Sequence, residues 1–184
     1  MWGNINAFTG ASGVGKSTLL DKMDKSNRSI EVIELSARPY LPLNGQDYIA
    51  NKSDLTQYRI NYGTMVTMME AIITGYNNEG NNTKFFSRCA IDRLAYSRVL
   101  NVGIEFQDLM IKEIETVIPY TEIFYIPVEF PLPLDENDLI RGKDEKVRCD
   151  TDTEIQKILE EFKIPYIEVR GTVERRLETI YKNL

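Results

Sequence analysis

The stretch Gly10-Ala11-Ser12-Gly13-Val14-Gly15-Lys16-Ser17 constrains this chain more than any other. Its spacing, Gly-x4-Gly-Lys-Ser, lets backbone N–H groups crowd around a polyphosphate, because glycine tolerates backbone angles and close approaches that other residues do not. Ile5-Asn6-Ala7-Phe8-Thr9 before it predicts a buried strand, and Ser17-Thr18-Leu19-Leu20-Asp21-Lys22-Met23 after it predicts the first turns of a helix. A helix N-terminus at this point adds its positive dipole end to the cradle. The expected nucleotide-binding set is therefore Gly10 with Ser12, Gly13, Val14, Gly15, Lys16, Ser17 and Thr18. Lys16 would reach the β- and γ-phosphates of ATP, and the Ser17 hydroxyl would hold Mg²⁺. At average composition the four fixed positions match by chance in roughly one per cent of chains this long, so the spacing is selective.

The 184 residues suit one α/β domain over 1–184 with a sizeable core. A net charge of −6 and a pI near 4.9 oppose the positive field of a duplex-binding surface. Duplex DNA is thus not an expected partner, although a local basic cleft for single-stranded ends stays open. Cys89 and Cys149 stand far apart, which gives neither a disulfide framework nor a metal spacing and fits a reducing cytosol. The chain has no histidine, which removes imidazole as a base or metal ligand. No apolar run is long enough to span a bilayer, and the N-terminus lacks a signal-peptide pattern. The expectation is a cytoplasmic protein with no membrane partner; a homodimer is compatible with the sequence, which specifies no oligomeric state.

Helical and strand patterns alternate along the chain, as in a parallel sheet covered on both faces. Ile30 to Leu35 predicts a second strand, and a long polar stretch follows from Ser36 to Ser53. Leu55, Tyr58, Tyr62, Met65, Val66, Met69, Ile72 and Ile73 recur at helical spacing, predicting a helix over about Asp54–Thr74. Its methionines fit core packing. Asn77-Asn78-Glu79-Gly80-Asn81-Asn82 ends that helix as a loop, and Lys84-Phe85-Phe86-Ser87 predicts a third strand. A helix from near Leu94, which Asp92 could cap, comes next, then one over Glu105–Ile118 that stops at Pro119. Glu122–Ile126 predicts a fourth strand, and a charged loop runs from Asp135 to Asp152. Thr151-x-x-Glu154 has a capping-box pattern for a further helix. Tyr166–Val169 predicts the last strand, with Gly171 and a terminal helix from Thr172 behind it.

Ligands of open parallel sheets bind at the carboxyl ends of the strands. Arg38 follows the second strand, Ser87-Arg88 and Asp92 follow the third, and Arg141 and Arg148 lie in the charged loop after the fourth. Phosphoryl transfer asks for such a set: cations on the moving charge, Mg²⁺ between β- and γ-phosphates, and a carboxylate for water, metal or acceptor. Each residue has a plainer alternative. Arg38 reads equally as a solvated loop arginine, Asp92 as a helix cap, and the Asp135–Asp152 loop as a solvated connector. Arg93 and Arg98 read as a solvated helix face.

Together these residues resemble the P-loop kinases of nucleosides and nucleotides, in particular compact phage and bacterial kinase-like ATPases related to nicotinamide riboside kinase, thymidylate kinase and deoxynucleoside kinase. In those families an acid and an arginine end the third strand, and an aspartate and an Ala-Tyr pair follow. Ser87-Arg88-Cys89-Ala90-Ile91-Asp92-Arg93-Leu94-Ala95-Tyr96 looks like that pattern, with Ser87 in the acid's place. A second register, with Asp92-Arg93 as the acid–arginine pair, restores the carboxylate and loses the Ala-Tyr spacing. Arg38 looks like the substrate-side arginine, and Val147-Arg148 with Asp150 and Asp152 resembles the lid signature. The glutamate that many relatives place three residues before that arginine is Leu35 here, with Glu34 adjacent.

The resemblance implies a three-layer P-loop NTPase fold, with a parallel sheet of about five strands and helices on both faces. It also implies an acceptor-side region at about 36–53 and a lid-like loop at about 135–152. The implied activity is an ATP-dependent phosphotransferase, with a deoxynucleoside monophosphate as the leading acceptor. Lys16, Arg88, Asp92, Arg148 and Arg141 would act on the transferred group; Arg38, Gln57 and Arg88 would hold the acceptor; Ser17 and Asp92 would position Mg²⁺. Leu35 at the place of that glutamate, with Arg38 retained, favours a phosphate-bearing acceptor, which needs cations more than a base. A hydroxyl acceptor (nucleoside, nicotinamide riboside, or a modified base or end of DNA) and a P-loop ATPase switch without acceptor are the alternatives.

Overall fold

Strand β1, Ile5–Thr9, is buried along its whole length and lies at the centre of a five-stranded sheet. The computed structural model describes residues 4–26, 30–35, 63, 66, 83–101, 104–117, 120–131 and 145–184. The strands β2 (Ile30–Ile33), β3 (Thr83–Phe86), β4 (Glu122–Tyr125) and β5 (Ile167–Glu168) complete the sheet in the order β2-β3-β1-β4-β5, all parallel. Ala7 stands opposite Phe86 on one side and Ile123 on the other. Both faces are covered, which is why all five residues of β1 are buried, the polar Asn6 and Thr9 included.

Helices α1 (Lys16–Ser26), α2 (Ala90–Leu100), α3 (Gln107–Lys112), α4 (Glu145–Glu161) and α5 (Val173–Lys182) are the α-helices among the fully described elements. Successive strand residues point to opposite faces and so feed two cores. On one face Ala7, Phe86, Leu94, Tyr125 and Ile155 pack with α2 and α4. On the other, Phe8, Phe85, Phe124, Leu19 and Ile180 pack with α1 and α5. Three rings from three adjacent strands anchor this second core: Phe8 lies 5.5 Å from Phe85 and 5.8 Å from Phe124. Burying each such ring contributes roughly 2–3 kcal/mol.

The five-stranded parallel α/β sheet expected from the sequence is the one observed. Several boundaries differ. The second strand ends at Ile33, although Leu35 still enters the core. The helix expected near Leu94 starts at Ala90, because Cys89 is its cap and Asp92, in the first turn, reaches back to the Cys89 N–H. The sequence's cap signal lay on the right residue, which acts from inside the helix. The span expected as one helix over Glu105–Ile118 is a 3₁₀ turn at Ile104–Phe106, then α3, then a π-turn at Glu113–Val117.

The Asp135–Asp152 loop needs correcting at its end, since α4 begins at Glu145. Thr151 is no cap: its hydroxyl donates to the Val147 carbonyl at 2.7 Å from inside the helix. The buried stripe Arg148, Thr151, Asp152, Ile155, Ile158 and Leu159 has helical spacing, but its first members are polar, so apolar periodicity misses them. The predicted helix over Asp54–Thr74 and the loops at 36–53 and 77–82 lie outside the described residues, apart from Gly63 and Val66, which are helical.

Arg93 and Arg98 depart from the solvated face expected for them. Arg93 forms a buried ion pair with Glu113, whose carboxyl burial pushes upward in pKa against the pull of that guanidinium. Arg98 bridges α2 to α4 through Glu154 at 3.1 Å and Glu161 at 2.8 Å. Among the described residues no helix is long and apolar enough to cross a membrane. Both cysteines are free, Cys89 buried and Cys149 exposed.

Removing one partner of a buried pair strands the other's charge, whereas a partly exposed pair contributes little. Arg93→Met should therefore cost about 3 kcal/mol or more in urea unfolding, and Arg98→Met about 1 kcal/mol or less. Equal losses for the two variants would refute this ranking.

Candidate active site

The chain leaves β1 at Thr9, turns through residues 10–15 and enters α1 at Lys16. Gly10 has φ +155°, and a Cβ there would sit 2.4 Å from the Ile126 carbonyl oxygen, so a side chain would force β1 and β4 apart. Gly15 has φ +99°, where a side chain is strained. The first turn of α1 carries no acidic residue, so nothing on the helix itself offsets its positive end. Ser17 and Thr18 are exposed at that end, while Lys16 is buried. The Ser12 N–H donates to the Tyr96 hydroxyl at 2.9 Å, so that amide faces α2.

Lys16 bends back over the turn. Its Nζ donates to the carbonyls of Gly10 and, at 2.8 Å, Ala11, and lies 3.9 Å from Asp92 Oδ1. Burial, reinforced by the nearby Arg88 charge, lowers the Lys16 pKa to about 7, while Asp92 opposes the fall. A buried ammonium so poorly compensated is a site for an anion, whose charge would restore the proton.

Asp92 is 1% exposed and uses both oxygens. Oδ1 accepts the Gly10 N–H at 3.1 Å, and Oδ2 accepts the Cys89 N–H at 3.0 Å. Arg88 Nη1 stands 3.7 Å from Oδ1, with its side chain partly open to solvent. The carboxylate thus ties the start of α2 to the first glycine of the turn. Burial, then Asp92, pushes the Cys89 thiol well above its ordinary range, which keeps it protonated at neutral pH.

Ser87 occupies the place where the resembling families carry an acid. Its hydroxyl accepts the Leu35 N–H at 2.7 Å and its N–H donates to the Ile33 carbonyl at 3.0 Å. This residue staples β2 to β3. Glu34, one residue before Leu35, is exposed.

Arg148 is 3% exposed and fully engaged: Nε donates to the Ser12 carbonyl at 2.9 Å, Nη1 to Glu145 at 2.6 Å, and Nη2 to the Phe130 carbonyl at 2.9 Å. It rises from α4 against the cradle. Asp152, one turn on, accepts from the Tyr125 hydroxyl at 2.9 Å and the Val128 N–H at 3.1 Å. The structure therefore brings Lys16, Arg88, Asp92 and Arg148 around one turn. Arg38, Gln57 and Arg141 lie outside the described residues.

Sequence reasoning missed two residues, Arg176 and Glu129. Arg176 Nη1 donates to the Val14 carbonyl at 2.6 Å, and Nη2 pairs with Glu129 at 2.8 Å. A signal was present: Val173, Arg176, Leu177 and Ile180 share one helical stripe, and an arginine on an apolar stripe has a buried partner to meet.

The residues fit a triphosphate: an uncommitted helix N-terminus, a desolvated lysine and glycine-lined backbone meet at one turn. For Mg²⁺ the exposed Ser17 hydroxyl is available. Among the described residues no group of three or more Cys, Asp or Glu could hold a metal ion.

A family model described as AAA domain matches residues 6–176, and the chain belongs to that family. Its fold is that of the P-loop nucleoside and nucleotide kinases. It is similar to deoxyadenosine kinase from M. mycoides solved with the products dCMP and a flexible dCDP bound: 14% identity, TM-score 0.65 and 97% of each chain covered. It is also similar to NadR protein in complex with NR (17% identity, TM-score 0.73) over 99% of this chain and 52% of that one. NadR in complex with NAD and AMP-PNP matches at 16% identity and TM-score 0.73. The chain thus spans about half the length of NadR. No curated protein matches the sequence.

The lowered Lys16 pKa sets a pH dependence. Free Lys16 is charged below about pH 7 and neutral above it; phosphate in the cradle holds the proton to higher pH. Binding then takes up a proton above pH 7, and affinity falls as pH rises. Between pH 7.5 and 9, where an ordinary terminal phosphate is already ionised (second pKa about 6), affinity for ADP should drop by nearly tenfold per unit. Calorimetry in two buffers of different ionisation enthalpy should register the proton uptake. Flat affinity over that range would mean Lys16 stays charged in the free protein.

Proposed function

We propose that this chain is an ATP-dependent phosphotransferase acting on a nucleoside or nucleotide, with a deoxynucleoside monophosphate as its acceptor. The observation that carries the reading is the desolvated Lys16, held inside a glycine turn with Arg88 at its mouth. The turn offers the Gly13 and Gly15 amides, the α1 N-terminus and Lys16 to the β- and γ-phosphates, where charge accumulates during transfer. The Ser17 hydroxyl would hold Mg²⁺, which supplies neutralising charge at those phosphates. Asp92, with both oxygens engaged by Gly10 and Cys89, orients the turn and would help to position Mg²⁺. Arg148 steadies the Ser12 carbonyl from α4. Arg88, partly exposed, is the cation placed to meet an acceptor, with Arg38, Gln57 and Arg141 proposed to complete the acceptor and lid sides.

The strand ends support one class of acceptor over the other. A hydroxyl acceptor gains from a carboxylate base, whereas a phosphate acceptor needs cations. Here Ser87 is a staple, Leu35 is buried in the core and Asp92 is committed, which supports a phosphate-bearing acceptor. A second reading, a nucleoside-type hydroxyl acceptor, is favoured by the likeness to a deoxyadenosine kinase and to NadR holding NR, and by exposed Glu34 at the same strand end.

The test is transfer of labelled phosphate from ATP to a panel of nucleosides, nicotinamide riboside, deoxynucleoside monophosphates and oligonucleotide ends. Transfer to a monophosphate should dominate, and Lys16→Ala should lower it by about a hundredfold or more. Glu34→Gln should leave that transfer unchanged; its loss, with a nucleoside as the preferred acceptor, would establish the hydroxyl reading. ATP hydrolysis indifferent to every acceptor would overturn the kinase proposal in favour of a switch.

A further inference from the structure

We infer that Arg176, with Glu129 as its counter-ion, is a positioning residue that aims the cradle's amides from behind. The inference rests on the nucleotide-binding reading of residues 10–18. In a trans peptide the C=O of one residue and the N–H of the next point in opposite directions. The Val14 carbonyl is held at 2.6 Å by Arg176 Nη1, so the Gly15 N–H is fixed on the side away from that guanidinium. Arg148 treats the Ser12 carbonyl in the same way at 2.9 Å, which fixes the Gly13 N–H. Two buried arginines, from α5 and α4, thereby orient alternate peptide planes of one turn.

The two anchors meet outside the turn. Arg176 lies over the Phe130 ring at 5.8 Å, and the Phe130 carbonyl accepts from Arg148 Nη2 at 2.9 Å. Glu129 Oε2 accepts both Arg176 Nη2 at 2.8 Å and the Gly171 N–H at 2.9 Å, joining the segments after β4 and β5 to the cradle. Contact is direct at Gly15, where a Cβ would stand 3.3 Å from Nη1.

Stability alone gives no reason for this arrangement. Arg176 is 4% exposed on the apolar stripe of α5, and its buried Nε has no hydrogen-bond partner among the described residues. A guanidinium with an unmet donor costs desolvation that a leucine in the same stripe would avoid. What leucine would not do is hold the Val14 carbonyl. With Glu129 neutralising its charge, Arg176 shapes the backbone and does not draw the phosphates itself.

Calorimetry with AMP-PNP, steady-state kinetics and thermal melting on Arg176→Leu, Arg176→Lys, Glu129→Gln and Arg98→Met decide the matter. Losing one charged hydrogen bond to the cradle should weaken AMP-PNP binding and raise KM for ATP by about tenfold or more in both Arg176 variants. KM for the acceptor at saturating ATP should stay within about twofold. Glu129→Gln should lie between wild type and Arg176→Leu, because the guanidinium keeps an oxygen partner but loses its counter-charge. Arg98→Met, an α2–α4 tether away from the cradle, should lower the melting temperature with nucleotide affinity unchanged. Arg176 variants that melt early yet bind AMP-PNP as wild type does would overturn the inference and leave the proposed function standing. If neither Arg176 variant folds, Glu129→Gln decides: weakened binding supports the assignment and unchanged binding overturns it. A wild-type chain that binds no AMP-PNP would overturn the proposed function, and this inference with it.

Discussion

A single buried carboxylate, that of Asp92, holds the arrangement together. Removing such a charge from water costs several kcal/mol unless hydrogen bonds and opposite charges offset it. Asp92 has both: the Gly10 and Cys89 amides at 3.1 and 3.0 Å, and Arg88 and Lys16 within 4 Å. Those four partners come from the cradle, the end of the β3 segment and the start of α2. The carboxylate therefore fixes where α2 begins, how the turn leaves β1 and where Lys16 rests. Lys16 is in turn poised between two demands. Its proton is disfavoured by burial and by Arg88, yet held by Asp92 and the Gly10 and Ala11 carbonyls. Phosphate must compete with those carbonyls, and it brings the negative charge they lack.

The sheet explains why these groups meet. In the order β2-β3-β1-β4-β5 the chain crosses from one side of β1 to the other between β3 and β4. The segments that follow β1, β3 and β4 open side by side at their carboxyl ends, where such sheets bind ligands. Phe8, Phe85 and Phe124 lock those three strands in place on one face, and Ala7, Phe86 and Tyr125 on the other. The close approach of Gly10 to the Ile126 carbonyl then sets the turn hard against the end of β4. The site inherits its rigidity from the core directly beneath it.

The parts of this design that obey short-range rules could be read from the residues in order. The glycine spacing, the buried strand β1, Phe85-Phe86 and the terminal helix at Thr172 each depend on neighbours a few positions apart, and the strands and helix lie where the residues predict them. Asp92 illustrates the boundary of that reading. Its type and position announce a cap, but its bond to Gly10 spans 82 residues and has no local signature. The start of α4 was hidden because its inward face is built from Arg148, Thr151 and Asp152, whose partners on other elements make polar residues suitable there. Ser87 looked like a missing acid and proved to be a staple to Leu35, a role that only strand pairing reveals.

Arg93 and Arg176 follow the same logic and end in different places. Both are buried arginines on helices, each facing a glutamate that arrives from another element. Arg93 is absorbed by Glu113, in a buried ion pair between α2 and the π-turn at Glu113–Val117. Arg176 divides its fork between Glu129 and a backbone carbonyl of the cradle, and leaves Nε without a partner among the described residues. A carbonyl is a weaker partner than a carboxylate, so the division lowers what Arg176 contributes to folding. The loss is intelligible if the quantity being optimised is the direction of the Gly15 amide. An amide already aimed at its ligand need not be ordered when the ligand arrives, and that ordering is the part of binding that contacts alone do not recover.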